Sequence, residues 1–543
     1  MSTRPTDMTR PADLRQERGT GPIRSHRPIY VDLLPPCNHA CPAGENIQAW
    51  LAHIEAGAYE QAWQTLVADN PFPAIHGRVC YHPCETSCNR AHLDSSVSIH
   101  ATERFLGDMA VEKGWQIPMN EPTGKRVLVV GAGPSGLSCA YHLARLGHTV
   151  EIYEAGPVAG GMLHFGIPAY RLPRDMLAAE VARLETMGIS IRLNHKVTDI
   201  EAEKTAGNFE AVFIAIGAHL GKRVNIPAWD AGKILDAVAF LREVGTGTTP
   251  KLGRRVAVYG GGNTAMDAAR SARRLGVDEA MIVYRRDRGH MPAHEFEADE
   301  ALAEGVKINW LRTIKEMDEH SLTIEIMELN DKGVPEPTGR FETLEADTLI
   351  LAVGQETDAA LLQDIPGIQV QKDGTVIVND QMMTGSPGIF AGGDMVPSER
   401  TVTTAVGHGK HAARHIDAFL RGSEYHKPEK HPQVGIDMLH VWYRTDAEQR
   451  RQMELALEQR SKSFAEVVSG LSPEEARYEA RRCLSCGNCF ECDGCYGACP
   501  EGAIIKLGPG QRYRYDYDLC TGCAVCYEQC PCHAIEMIPE PSA

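Results

Sequence analysis

No stretch of this 543-residue chain approaches the roughly 18 consecutive apolar residues that a membrane-spanning helix needs, and its mean hydropathy is -0.27. A soluble protein is expected. Positive charge is short as well: 55 Lys and Arg face 72 Asp and Glu. The formal charge of -17 argues against nucleic acid as a partner, since phosphate binding needs a basic surface. The six arginines of residues 1–28 are interrupted by Asp7, Asp13 and Glu17, and no apolar stretch follows them. Neither a secretory signal nor a transit peptide is expected there, and residues 1–30 read as a flexible arm. Cysteine is missing from the middle. Of 17 cysteines only Cys139 lies between Cys88 and Cys483, which excludes an evenly spread disulfide framework and fits a reducing cytoplasm. The chain also lacks any pattern suited to amidotransfer or thiamine chemistry, so such a reaction would belong to a partner.

What is present at the C-terminal end is one cysteine run written twice, Cys489-x2-Cys492-x2-Cys495-x3-Cys499-Pro500 and Cys520-x2-Cys523-x2-Cys526-x3-Cys530-Pro531. This is the spacing of two-cluster ferredoxins, in which the fourth cysteine of each run crosses to the other cluster. Cys489, Cys492, Cys495 and Cys530 therefore form one expected [4Fe-4S] ligand set, and Cys520, Cys523, Cys526 and Cys499 the second. A zinc ribbon also uses C-x-x-C pairs, but it has no need of three close cysteines plus a fourth followed by proline, twice over. The expected currency is single electrons.

Two glycine turns dominate the middle of the chain. Arg126-Val-Leu-Val-Val130 reads as a buried strand running into Gly131-x-Gly133-x-x-Gly136, then a helix from Leu137 to Leu146, then the strand Val150-Glu-Ile-Tyr-Glu154. Glycines of this kind let a backbone approach a pyrophosphate at a helix N-terminus, and Glu154 suits the adenosine ribose hydroxyls. The strand Arg255-Val-Ala-Val-Tyr259 leads into a second turn, Gly260-Gly261-Gly262-Asn263-Thr264-Ala265. The strand after that ends in Arg285 and Arg286 where an acid would select a free ribose, so NADP(H) is favoured over NAD(H). The alternative is that both arginines form surface ion pairs with Asp287 or Glu295. Phe213–Gly217 and Leu351–Gly354 read as strand-to-glycine turns. Ile389–Asp394 places a carboxylate, Asp394, at a strand end in reach of a flavin ribityl chain, and a helix starting near Thr403 presents its N-terminal amides toward the ring. Each of these segments taken singly is equally an ordinary loop. Hydride transfer needs no acid or base, so no catalytic residue is assigned, and His408 and His411 are read as structural.

The resulting architecture is α/β, with two nested Rossmann-like dinucleotide-binding domains between an N-terminal helical iron–sulfur domain and a C-terminal α+β ferredoxin-like domain. The expected divisions are an arm at 1–30, the helical iron–sulfur domain at 31–121, and the FAD domain at 122–250 and 361–430. The NAD(P) domain is expected at 251–360, a helical linker at 431–480 and the ferredoxin-like domain at 481–543.

Several motifs carry a resemblance: Cys37-x3-Cys41-Pro42, Gly77-Arg-Val-Cys80, Gly131-Ala-Gly-Pro-Ser-Gly136, Gly160-Gly161, Phe165-Gly-Ile-Pro168, Gly260-Gly-Gly-Asn-Thr-Ala-Met-Asp267, Tyr284-Arg-Arg286 and Ala391-Gly-Gly-Asp394. Residues 37–420 resemble the small, flavin-containing subunit of NADPH-dependent glutamate synthase and its relatives. These include the electron-entry part of dihydropyrimidine dehydrogenase and the large subunit of an electron-bifurcating ferredoxin:NADP transhydrogenase. The resemblance implies FAD at Gly131, Gly133, Gly136, Glu154, Gly161 and Asp394. It implies NADP(H) at Gly260, Gly262, Asn263, Thr264, Arg285 and Arg286. Thioredoxin reductases share the plan but need a redox C-x-x-C, and residues 251–360 contain no cysteine.

One departure is informative. Relatives open with R-C-L-x-C-G ahead of the first matched cysteines, whereas residues 25–36 have none and Arg482-Cys483-Leu-Ser-Cys486-Gly487 carries the motif instead. The resemblance then implies one cluster on Cys37, Cys88, Cys483 and Cys486, and another on Cys41, Cys80, Cys84 and Glu103. Four clusters result, with Cys139 and Cys532 left as plain thiols. The rival arrangement is a single N-terminal cluster on four of the five cysteines there, with Cys483 and Cys486 idle or bridging. The expected function is electron transfer between NAD(P)H and ferredoxin or a larger iron–sulfur enzyme, such as a 2-oxoacid:acceptor oxidoreductase, by way of FAD and [4Fe-4S] clusters in a hetero-oligomer. The alternatives are the glutamate synthase small subunit itself and a non-catalytic electron wire.

Overall fold

The computed structural model describes residues 24–222, 224, 226–227, 233–442 and 444–541. Most of the expected arm lies outside the described residues. Its last part does not behave as an arm: His26–Tyr30 forms a strand that pairs antiparallel with Ile535–Pro539, placing Tyr30 opposite Ile535. Edge pairing to the far end of the chain supplies the backbone partners that a free segment would take from water.

The N-terminal domain is helical, as its spacing predicts. Ile47, Trp50, Leu51 and Ile54 fall on one face of Ile47–Glu55, and Ala62, Trp63, Leu66 and Val67 on one face of Tyr59–Val67; all are buried. Helices Pro73–Val79 and Ile99–Lys113 cross in close contact. A Cβ on Gly77 would overlap the Arg104 backbone, and one on Gly107 would overlap the backbone of Ala74. That crossing places Cys80, just past the end of the first helix, beside Glu103 on the second.

Two parallel five-stranded sheets follow. The first runs Ile389–Ala391, Ala211–Ile214, Arg126–Val130, Thr149–Tyr153, Ser190–Arg192, so the chain leaves this domain and re-enters it near its end. The second runs Lys307–Trp310, Glu279–Tyr284, Arg255–Tyr259, Thr348–Leu351, Lys233–Asp236. Lys233–Asp236 pairs with Thr348–Leu351, so the expected boundary at 250 comes too late: the crossover from the first sheet ends inside the second. An antiparallel three-stranded sheet, Arg312–Met317, Ser321–Leu329 and Pro335–Glu345, is an addition to the second domain that the spacing does not announce.

The expected helical linker is also corrected. Residues 431–480 carry only short turns and Leu457–Arg460 before the helix Pro473–Arg482 begins. The segment lies along the helical domain and the FAD domain and satisfies its backbone there: Asn89 and Arg104 of the first donate to the carbonyls of Val434 and Val468, and the Val467 amide donates to the Tyr170 carbonyl of the second. Those outside partners replace the i to i−4 bonds of a helix, and Met453, the first of the series Met453, Leu455, Leu457, Phe464 and Val467 whose spacing suggests a helix, is 78% exposed.

Candidate functional site

The strand Arg126–Val130 ends at Gly131, whose φ of +104° favours glycine and where a Cβ would lie 2.5 Å from the Ala215 carbonyl oxygen. A Cβ on Gly136 would overlap the Gly131 carbonyl, so this glycine lets the helix Pro134–Arg145 close onto the loop. Gly133 faces nothing within 4 Å and is the open position of the turn. Glu154 reaches back over the loop, accepting from the Ala132 and Gly156 amides at 2.7 Å each. Those bonds hold the turn and leave further lone pairs for a ribose. Asp394 follows the strand Ile389–Ala391; burial pushes its carboxyl up to about 6, with Arg400 partly opposing. The helix Val402–Arg421 begins beside it, capped by Thr401, whose hydroxyl accepts from the Thr404 amide at 3.1 Å.

The second turn repeats this construction. Gly260 has φ +150° and a Cβ there would overlap the Ala352 carbonyl, while Gly262 is the open position. Asn263 is held at a domain junction: its amide donates to the Tyr81 hydroxyl at 2.6 Å and its oxygen accepts from the His294 amide at 3.3 Å. The Tyr81 ring stacks on His294 with centroids 3.7 Å apart. Arg171 pins the same face, reaching Asp267 at 2.8 Å and Glu297 at 2.6 Å. Neither Arg285 nor Arg286 pairs with a carboxylate among the described residues, and Asp287 engages His290 at 2.7 Å instead. The two guanidinium groups stay available to an anion.

Both turns open into one cavity of about 1210 Å³. Of the twelve residues assigned to the nucleotides, all but Gly136 line it: Gly131, Gly133, Glu154, Gly161 and Asp394 on one side, and Gly260, Gly262, Asn263, Thr264, Arg285 and Arg286 on the other. Val79 and Tyr81, the neighbours of Cys80, line it too. Tyr81 and Arg171 were not singled out from the sequence; the position of Tyr81 directly after Cys80 is the one signal that bore on it.

None of the 17 cysteines is in a disulfide. Burial pushes the Cys37 thiol well up, and Cys88, Cys483 and Cys486 lie close enough to push it further, so residues far apart in sequence converge. Cys41 is raised by burial and by Glu45, with Cys80 and Glu103 also close. Burial raises Cys80 to about 12, with Glu103 the next contributor, and Cys84 lies near Cys41 and Cys80. Thr403, on the helix beside Asp394, donates to Cys80 Sγ at 3.1 Å, and Asn89 donates to Cys486 Sγ at 3.5 Å. Asn70 donates to Glu103 Oε1 at 2.7 Å.

At the C-terminal end, burial raises Cys489 to about 11 and also raises Cys492 and Cys495; Cys530 is a charged neighbour of all three. A small cavity is lined by Cys499, Cys520, Cys523 and Cys526. The fourth cysteine of each run thus sits with the other run. Backbone amides donate to Cys499 and Cys530 Sγ at 3.3 Å and to Cys520 Sγ at 3.4 Å. Thiol-only sets with amide donors suit iron–sulfur clusters. Cys532, outside these sets, has its Sγ 3.8 Å from that of Cys530.

A flavin and nicotinamide reductase built around paired dinucleotide folds, with cysteine sets at both ends, is the class this geometry defines. The chain matches the pyridine nucleotide-disulphide oxidoreductase family over residues 125–409, and it belongs to that family. Residues 30–115 match dihydropyrimidine dehydrogenase domain II, 4Fe-4S cluster, and residues 513–536 a 4Fe-4S binding domain. It is an NAD(P)H-dependent oxidoreductase that carries FAD and [4Fe-4S] clusters and passes electrons through them. The chain is 38% identical over 504 residues to NADP(+)-dependent formate dehydrogenase subunit beta of Moorella thermoacetica, covering 83% of this chain and 70% of that one. It is 33% identical over 517 residues to NADPH-Fe(3+) oxidoreductase subunit beta of Geobacter sulfurreducens, covering 86% and 77%. It is 31% identical over 425 residues to the glutamate synthase [NADPH] small chain of Escherichia coli, covering 71% and 89%, in line with the resemblance read from the motifs. No helix among the described residues is long and apolar enough to cross a membrane.

Proposed function

We propose that the chain is the NADP(H)-facing subunit of a larger redox enzyme in a reducing cytoplasm, exchanging electrons with a partner iron–sulfur protein at its C-terminal end. The observation that carries this reading is the single cavity shared by both glycine turns and by the residues flanking Cys80. FAD, when bound, accepts two electrons as hydride from nicotinamide and releases them singly, which is why such a cofactor joins pyridine nucleotides to clusters. The chain's own residues then have distinct tasks. Gly131, Gly133, Glu154, Gly161 and Asp394 hold the flavin nucleotide, with Gly136 closing the helix onto the loop. Gly260, Gly262, Asn263 and Thr264 hold the second nucleotide, and Arg285 and Arg286 pair its 2′-phosphate.

Four ligand sets complete the proposed path. The set of Cys41, Cys80, Cys84 and Glu103 lies against the flavin cavity, tied to its helix by Thr403. Asn70 takes one oxygen of Glu103 and leaves the other for iron. The set of Cys37, Cys88, Cys483 and Cys486 joins the helical domain to the segment leading into the C-terminal sets. Cys492 and Cys523, one in each C-terminal set, are exposed and mark where a partner meets the chain. The names of the relatives support a subunit role, since two are called beta subunits and one a small chain.

The test is anaerobic purification with the neighbouring gene products, iron and flavin counted per chain, and titration with NADPH and NADH. About sixteen irons, one FAD and bleaching by NADPH in preference to NADH are expected. Failure of either nucleotide to bleach the flavin would overturn the proposal.

A further inference from the structure

The segment from Arg24 to Tyr30 lies hundreds of residues before the ferredoxin-like runs, yet it is packed into them. Its strand pairs with the last strand of the chain, Ile535–Pro539. Tyr30 stacks on Tyr515 with centroids 4.8 Å apart and places its hydroxyl 3.4 Å from Cys495 Sγ. A cysteine bound to iron is a thiolate with no proton to give, so the phenol is the donor in that contact. At the other end of the segment the Arg24 side chain is 3% exposed and donates to the carbonyls of Cys520 at 2.8 Å and Tyr517 at 2.5 Å. The same guanidinium pairs with both oxygens of Glu540, at 2.7 and 2.8 Å. Gly522, inside the Cys520–Cys523 loop, is where the segment seats: a Cβ there would overlap the His26 carbonyl and lie 2.7 Å from Arg24 Cγ. Pro28 completes the wall of the cavity formed by Cys499, Cys520, Cys523 and Cys526.

We infer that residues 24–30 are a strap that sets the reduction potentials of both C-terminal clusters, with one donor for each: the half-buried Tyr30 for the set containing Cys495 and the buried Arg24 for the set containing Cys520. The inference rests on the ligand sets of the proposed function. Hydrogen bonds and positive charge near the sulfurs stabilise the more negative, reduced form and raise the potential, and solvent exposure is a further control. The strap supplies all three. It gives an O–H donor to Cys495, a guanidinium on the backbone of Cys520, and cover over the second site by Pro28. Because each donor belongs to a different set, the two potentials are adjustable independently.

The experiment is a spectroelectrochemical titration of the full-length protein, followed by electron paramagnetic resonance, for the native chain, Tyr30→Phe, Arg24→Gln, and Arg24→Gln with Glu540→Gln. Tyr30→Phe keeps the stack and removes only the donor. It is expected to shift one cluster's reduction equilibrium about tenfold toward the oxidised form, 59 mV for a one-electron couple, and to leave the other unmoved. Arg24→Gln is expected to lower the second potential, since Glu540 is then left unneutralised. The double variant removes that charge and should recover part of the shift. The native chain should hold about eight C-terminal irons, and fewer would count against the ligand sets; every variant should keep them, since none of the substituted residues is a ligand, and iron lost in a variant would make the strap a structural clamp and overturn its role in setting potentials. Native iron with no potential moved, or with both moved equally by each variant, overturns the inference.

Discussion

Replacing Cys483 and Cys486 together by serine tests how the two ends of the chain are joined. Both thiols are neighbours of Cys37 and Cys88, and the other three ligand sets take no residue from this segment. One cluster of four irons is therefore at stake, and iron should fall from about sixteen to about twelve per chain. The fold should survive the loss. Arg482, immediately before the pair, is 3% exposed and bonds Glu479 at 2.8 Å, Asp94 at 3.1 Å and the carbonyls of Ser95 and Ser96 at 2.7 and 2.8 Å. Such a fully paired buried guanidinium holds the segment on the helical domain without help from iron. FAD content and bleaching by NADPH should stay native, because the flavin cavity draws no residue from this segment. What should disappear is rapid reduction of the C-terminal clusters by NADPH, while dithionite still reduces them. The assay is iron by plasma mass spectrometry, flavin after acid release, and anaerobic stopped-flow with freeze-quench spectroscopy. Iron at the native level, or C-terminal clusters reduced by NADPH at the native rate, would refute the assignment. Cys139→Ser, in the core of the helix Pro134–Arg145, serves as the control and should cost no iron.

Three further outcomes are expected. Arg285→Ala and Arg286→Ala should each weaken NADPH by about 10- to 150-fold, from about 1.5–3 kcal/mol per charge-assisted bond, and leave NADH nearly unchanged; equal losses for both nucleotides would exclude phosphate recognition. Gly261→Ala should destabilise the fold, since its Cβ would overlap the Tyr284 ring, whereas Gly262→Ala, which meets no protein atom within 4 Å, should melt normally and bind nucleotide poorly; parallel melting and binding assays separate the two. Glu304→Ala leaves the buried Arg274 without its carboxylate and Arg270 with Glu300 alone; Glu304 pairs with the two at 2.6–3.0 Å, and its loss should cost about 3–5 kcal/mol in denaturant unfolding. Burial alone would raise the Glu304 carboxyl, but the bonds from Arg274 and Arg270 outweigh it and hold it below its ordinary 4.5. That stabilisation is complete above 4.5 and lost as pH falls through the lower folded value, so Glu304→Gln should flatten the acid limb of the stability curve and leave its neutral-pH slope alone.

The elements most legible in the sequence are those whose chemistry is written at short range. A cysteine run with two- and three-residue gaps constrains its own loop, and strand, glycine turn and helix follow one another within about thirty residues. The two parallel sheets and the helices around Trp50 and Trp63 were visible for the same reason: apolar period is a local property. The linker failed on that same rule: Met453 and Leu457 have helical spacing but lie exposed, while Phe464 and Val467 find their partner in Tyr170 of another domain. The boundary at 250 failed because a parallel strand is recognised by what it lies beside, and Lys233–Asp236 lies beside a strand more than a hundred residues later.

Short spacing and composition were enough to establish an electron-carrying, two-nucleotide protein with cysteine sets at its ends. The displaced motif at Cys483 and Cys486 already pointed to a meeting with Cys37 and Cys88; the folded chain alone could show that both glycine turns share one cavity beside Cys80, and that Arg24 and Tyr30 pack against Cys520 and Cys495. Covalent neighbours are constrained by bond geometry over a few residues. Contacts between distant segments are chosen by what the whole chain can bury and pair at once, a sum that no local window contains.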